Sequence, residues 1–317
     1  MSIRDNKIIF WGTPQIAAQC LEHLINTGEN VLGVVTQPDK PVGRKQILTS
    51  PPVKVIAEQA KIPVFQPKTL KNDDFYSKIN NLDAKICIIV AYGKIIPKKF
   101  IDLPAEFVNL HFSLLPKYRG AAPVQRAILD GLNETGITVQ FLAEKLDCGD
   151  IILQKKVKID INDTSRSLLN KCADLGAPML SKTIKMINDN TAPRIVQNDT
   201  DATLAPKLSK EDGIIDWKKS AREIHDQIRG CYPWPGTRTE LDDKVIKVWK
   251  SVLPEITFEE KKKPGTIETT KKQLFVHTGN RILELIEIQL PGKTRMTAQA
   301  FLAGHRTILA NNSFKIY

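Results

Sequence analysis

The sequence predicts an α/β protein in two parts. Residues 1–189 form a Rossmann-like, mostly parallel sheet with helices on its faces, 190–209 form a linker, and 210–317 form a small antiparallel β-barrel. Three observations predict this. Apolar runs such as Lys7-Ile-Ile-Phe-Trp11, Val31-Leu-Gly-Val-Val-Thr36 and Lys85-Ile-Cys-Ile-Ile-Val90 alternate with helical stretches, as parallel strands buried on both faces do. From Asn188 to Lys207 the apolar period fades into Thr, Asn, Asp and Pro, the composition of a linker. Beyond it, short β-type runs are spaced by Gly and Pro, which points to an antiparallel barrel.

Taken in order, the first run ends at Gly12-Thr13-Pro14, after which Ile16, Ala17, Cys20, Leu21 and Leu24 recur at helical spacing. Gly28 is the expected helix stop. The first turn lacks GxGxxG, which argues against a dinucleotide site. Gln37 to Ser50 reads as a long polar loop, a length that is usually functional or disordered. Val53 to Ala60 reads as a helix, Val64-Phe65 as a short strand and Lys85 to Val90 as a central strand that ends in Ala91-Tyr92-Gly93. Pro123 to Leu129 is the next helix, followed by strands over Thr135 to Ala143 and Ile151 to Ile159. Asp163-Thr164-Ser165 carries the caps of a helix running towards Ile187. After the linker come a helix around Ala221 to Gly230 and strands over Lys244–Val252, Gly265–Glu268, Gln273–His277 and Arg281–Ile288.

With 317 residues, the chain has room for two cores. Its formal net charge of +11 suits a polyanionic partner. There are 26 Lys and Arg against 20 Asp and Glu over residues 1–200, and 20 against 15 over the other 117, so a partner spanning both parts fits. The five cysteines stand far apart without a CxxC, which argues against a disulfide framework or a zinc site. No run is long enough to span a bilayer and the N-terminus has no signal-peptide pattern. A cytoplasmic protein with no metal is expected.

The stretch with most chemistry is Phe107 to Arg126, FVNLHFSLLPKYRGAAPVQR. Val108 and Leu110 alternate with Asn109 and His111, so the amide and the imidazole leave a strand on one side, about 7 Å apart along the chain. Together they supply a hydrogen-bond donor and a proton carrier, the minimum for acyl transfer. On spacing alone such a pair is more often structural, and Asp147 is more often a turn aspartate.

The whole string changes that balance. Asn109-x-His111-x-Ser113-Leu114-Leu115-Pro116-x-x-Arg119-Gly120-Ala121-Ala122-Pro123, followed by Leu146-Asp147-x-Gly149-Asp150, closely resembles the 10-formyltetrahydrofolate-dependent formyltransferases. Thr36 to Arg44, Ser50 to Lys54, Ala91-Tyr92-Gly93, Lys207 to Glu211, Ile215-Asp216-Trp217 and Pro233-Trp234-Pro235 are similar, in order, to members of that family that act on a charged tRNA. The resemblance implies an OB-like barrel at the C-terminus that binds tRNA. It implies 10-formyltetrahydrofolate as co-substrate, methionyl initiator tRNA as acceptor, and a monomer. It implies Asn109, His111 and Asp147 as catalytic residues and a folate site at Ser113, Leu114, Leu115 and Pro116. Arg44 would contact the tRNA, a task suited to a guanidinium that pairs with phosphate and stacks on bases.

Lys261-Lys262-Lys263, Lys271-Lys272, Lys293 and Arg295 are candidate phosphate contacts, though singly such residues are more often just solvated. Which of His111 and Asp147 moves the proton stays open on the sequence. So do a sugar-nucleotide or glycinamide ribonucleotide formyltransferase, a non-catalytic RNA-binding module and a hydrolytic deformylase.

Overall fold

The structure, a computed structural model, describes residues 6–43, 45–242, 244–256, 262–309 and 313–315. The chain divides into two compact units. The first takes the chain up to Gly120, then Thr135–Val157 and Leu169–Leu204. The second takes Ala121–Glu134, Lys158–Leu168 and the chain from Ala205 on.

The first unit begins with β1 (Ile8–Gly12), α1 (Gln15–Asn26) and β2 (Val31–Val35). Helix α1 buries Ala17, Ala18, Cys20, Leu21 and Leu24, the apolar stripe of its sequence. Next come β3 (Lys40–Val42), β4 (Ile47–Thr49), α2 (Pro52–Gln59), β5 (Val64–Phe65), α3 (Asp73–Asn80), β6 (Ile86–Val90), α4 (Lys98–Ile101) and β7 (Glu106–His111). Helix α3 starts at Asn72, whose side-chain oxygen accepts from the N–H groups of Asp74 and Phe75. After α5 (Pro123–Leu129) the chain forms β8 (Glu134–Phe141), β9 (Ile151–Lys158) and α6 (Ser165–Asn188).

The sheet order is β5-β2-β1-β6-β7-β8-β9. The first five strands are mutually parallel, and β8 runs antiparallel to β7. Strands β1 and β6 are buried along their whole length, as the near-continuous apolar runs require. On one side of the sheet, Trp11 meets Phe75, Tyr92 and Phe100 edge-on. Burial there pushes the Tyr92 hydroxyl up to about 12.

The stretch from Gln37 to Ser50 departs from the expected loop. Its described residues form an antiparallel hairpin of β3 and β4, with Pro41 opposite Leu48. Asp39 anchors its base, accepting from Lys54, Gln66 and Ser50. The Gln66 and Lys54 bonds hold the Asp39 carboxyl below the ordinary carboxylate value. Two three-residue strands that leave Val42, Ile47 and Leu48 more than half exposed carry no burial pattern from which a sequence reading could infer them.

In the second unit α7 (Ala221–Gly230) packs on α5. It starts with a capping box, in which Ser220 and Glu223 exchange side-chain-to-backbone bonds. Then follow β10 (Thr237–Leu241), β11 (Lys244–Val252), β12 (Ile267–Thr269), β13 (Leu274–His277), β14 (Ile282–Gln289), β15 (Met296–Thr297) and α8 (Ala298–Leu309). The strands form an antiparallel sheet ordered β10-β11-β14-β13-β12, with β15 against β14, the curled half-barrel expected of an OB-like domain. Trp217, Ile224, Val248, Leu285 and Phe301 fill its core. Among the described residues, no helix is long and apolar enough to cross a membrane.

Candidate active site

Strand β7 carries Asn109 and His111 on one side, opposite Gln140 and Thr138 of β8 in register. Val108 and Leu110, fully buried on its other side, fix which way the strand faces. The chain returns after β8 through the loop that carries Asp147. That loop lies against the end of β8 so closely that a Cβ on Gly149 would stand 1.8 Å from the Phe141 carbonyl oxygen. Glycine is therefore required at position 149.

The three sequence-predicted residues meet around one carboxylate. Asp147 Oδ1 lies 3.4 Å from Asn109 Nδ2, 3.6 Å from His111 Nδ1 and 3.2 Å from Gln140 Nε2. Its Oδ2 accepts from the Gly120 N–H at 2.8 Å. Both His111 and Asp147 are buried. His111 Nε2 lies 2.9 Å from the Tyr118 carbonyl oxygen, an acceptor only, so the neutral ring carries its proton on Nε2 and turns Nδ1 to Asp147.

Two residues in this arrangement hold left-handed backbone: Asp147 at φ 54° and Tyr118 at φ 60°. Non-glycine residues in that region cost roughly 1–3 kcal/mol each. The surrounding bonds hold them there. Tyr118 N–H donates to Thr203 Oγ1 and Gly120 N–H to Asp147, while the Asp147 and Gly149 carbonyls accept from Gln197 Nε2 at 2.9 and 2.7 Å.

Ser113, Leu114, Leu115 and Pro116 follow directly on the strand. Ser113 is fully buried, donating to the Lys117 carbonyl at 2.6 Å while its own carbonyl accepts from Thr138 Oγ1 at 2.7 Å. Leu115 is buried as well, and Leu114 and Pro116 are half-exposed. Arg44 and Lys261 lie outside the described residues. Of the other basic residues, Lys262 pairs with Glu268, Lys263, Lys271, Lys272 and Lys293 are exposed, and Arg295 stacks 3.6 Å above the Trp249 ring. Among the described residues no cluster of three or more His, Cys, Asp or Glu is arranged to hold a metal ion.

Sequence reasoning missed Gln140, Gln197 and Arg119 as neighbours of the site. Gln140 had a signal: with Thr138 it is polar on a strand whose intervening residues, Ile137, Val139 and Phe141, are apolar and buried. Gln197 had none, because it sits in the polar stretch whose composition marks a linker.

Residues 6–184 match the family described as Formyl transferase, and residues 207–306 match Formyl transferase, C-terminal domain. The methionyl-tRNA formyltransferase of Desulforamulus reducens is 43% identical over 300 residues, covering 94% of this chain and 94% of that protein. The methionyl-tRNA formyltransferase of Alkaliphilus oremlandii is 44% identical over 301 residues, covering 94% and 96%. Among solved structures, the N-formyltransferase from Helicobacter canadensis in complex with folinic acid and dTDP-3-aminofucose superposes with a TM-score of 0.66 at 23% identity. That match covers 88% of this chain and 99% of the other, and at such identity it speaks for the fold alone.

Proposed function

The chain belongs to the formyl transferase family, and from that premise we propose a division of labour among Asn109, His111 and Asp147. The reaction moves the formyl group of 10-formyltetrahydrofolate to the α-amine of methionine on initiator tRNA, giving formylmethionyl-tRNA. Attack of the amine on the formyl carbon forms the new C–N bond and a tetrahedral oxyanion. Collapse of that intermediate breaks the bond to N10, and the proton lost by the amine ends on N10.

Asn109 donates its amide hydrogen to the oxyanion, where a pre-aimed donor lowers the barrier most. His111 and Asp147 carry the proton between amine and N10. A hydrogen bond between Nδ1 and Oδ1 forms only when the imidazole holds a second proton, so Asp147 stabilises the ring at the moment it has accepted one. The turn Ser113–Pro116 lines the folate site, Arg44 reaches the tRNA, and residues 210–317 form the tRNA-binding domain after the catalytic one. The protein works as a monomer in the cytoplasm.

One observation supports this above all: an amide and an imidazole from one strand meet a carboxylate that lies 38 residues beyond the amide in sequence, in a chain 43% identical over 300 residues to a methionyl-tRNA formyltransferase. The test is transfer of labelled formyl from 10-formyltetrahydrofolate to methionyl initiator tRNA, with uncharged tRNA and a sugar-nucleotide amine as controls. Label on the charged tRNA alone is expected. Label on the sugar would move the acceptor to a different substrate class, and folate binding without any transfer would overturn the catalytic roles.

A further inference from the structure

Asp147 ends a run of side chains that the reaction above does not use. Arg119 donates from Nε and Nη2 to Gln197 Oε1 at 3.1 and 2.8 Å, and its Nη2 also donates to Asp199 Oδ1 at 2.8 Å. Gln197 Nε2 donates to Gln140 Oε1 at 3.1 Å, and Gln140 Nε2 donates to Asp147 Oδ1 at 3.2 Å. Arg119, Gln197 and Gln140 are all buried, at 8%, 8% and 1% exposure.

Two buried amides of this kind are symmetric enough to point either way, and the hydrogen-bond network decides. Here a group that cannot accept decides it. A guanidinium offers five N–H donors and no acceptor, so Gln197 must turn its oxygen to Arg119 and its NH2 inward. The inward NH2 meets the Gln140 oxygen and the Asp147 and Gly149 carbonyls, which are all acceptors. Gln140 is thereby left with its NH2 towards Asp147. Reversing either amide would set oxygen against oxygen or N–H against N–H in a buried site, where an unsatisfied polar group is costly.

We infer that Arg119, Gln197 and Gln140 are positioning residues, a one-way chain of donors that holds the Asp147 carboxylate in place against His111 and the left-handed loop beneath it. The positive charge stands two amides from the carboxylate, so Asp147 is oriented without being paired to a cation. The titratable group facing Asp147 is His111, from β7; its contacts from β8, Gly120 and residue 197 are neutral.

The inference rests on the formyl-transfer reading, and wild-type turnover in the labelled-formyl assay tests that reading separately. Two isosteric variants test the chain itself. Gln197→Glu keeps the acceptor for Arg119 and removes the inward donors. Gln140→Glu sets a second carboxylate against Asp147, and two carboxylates so close share one proton until the pH is raised. Both are expected to lose about 10²-fold in kcat, the scale of a small displacement of a reacting group, with KM for folate and tRNA held within about twofold. Gln140→Glu is also expected to add a falling alkaline limb to the kcat–pH profile. Arg119→Lys, which keeps a donor to Gln197, should lose less.

Wild-type kcat and an unchanged pH profile in Gln197→Glu and Gln140→Glu would overturn the inference. So would losses that track the melting temperature and disappear on cooling, since those would mark a packing role. If wild type itself transfers no formyl group, the functional reading falls instead.

Discussion

Among the described residues each unit buries a histidine beside an aspartate, His111 with Asp147 and His225 with Asp226, and the two pairs are held differently. His111 and His225 both turn Nε2 to a backbone carbonyl, Tyr118 at 2.9 Å and Ile161 at 2.8 Å. Beyond that they diverge. His225 Nδ1 meets the Ser251 hydroxyl at 3.0 Å, which can donate, so the neutral ring is satisfied at both nitrogens. His111 Nδ1 meets a carboxylate, which can only accept.

The aspartates diverge in the same sense. Asp226 is gripped by two guanidinium groups, Arg229 Nε at 2.8 Å and Arg222 Nε at 2.7 Å, and its charge is answered on the spot. Asp147 is held by amides and one backbone N–H. Asp226 thus has cations for partners, whereas Asp147 has only neutral donors beside the imidazole.

This contrast yields four measurements, in falling order of effect. His111→Ala or Asn109→Ala should lower kcat by about 10²–10³-fold with a nearly unchanged melting curve; turnover at the wild-type rate in both would erase the distinction. Asp226→Ala leaves Arg229, 4% exposed, without its partner and should destabilise the fold by about 3–5 kcal/mol, read as a lower urea midpoint, with kcat per folded molecule intact.

The third measurement is stability against pH. Burial, first among the causes, holds the His225 ring below its ordinary value of 6.5, so the unfolded chain takes up a proton before the folded one as pH falls. Stability therefore rises with pH up to about 6.5 and levels above it. His225→Gln should flatten that slope in a series of urea titrations. The smallest effect belongs to Ser220→Ala, which removes the cap of the helix carrying His225 and Asp226. It should cost about 1 kcal/mol and a few degrees in a thermal melt, with formyl transfer unaffected.

Much of this was legible in the sequence where burial leaves a period. The runs at β1 and β6 read as strands because both of their faces are covered, and α1 showed its apolar stripe. Alternation with Val108 and Leu110 put Asn109 and His111 on one side of a strand, and it was the resemblance of the whole string that singled them out. The β3–β4 hairpin was not, since its apolar residues face outward. The polar support of Asp147 was hidden for a different reason. Arg119, Gln140 and Gln197 are far apart in sequence, and nothing local says that an amide in a Thr- and Asp-rich stretch, at residue 197, will be buried. The left-handed backbone at Asp147 was equally invisible, because aspartate reports a turn without saying which one.

The chain's course through its two units bears on how it is made. Each unit is assembled from pieces that are not contiguous: the second holds Ala121–Glu134 and Lys158–Leu168 as well as everything from Ala205 on. During synthesis from the N-terminus, α5 and the segment after β9 emerge well before α7, the helix on which α5 packs. Helix α5 must wait, its apolar residues without their α7 partner, while about a hundred further residues are added, at roughly 5–20 residues per second. For several seconds the second unit is thus incomplete, which makes that interval the one in which a chaperone or a protease would meet it.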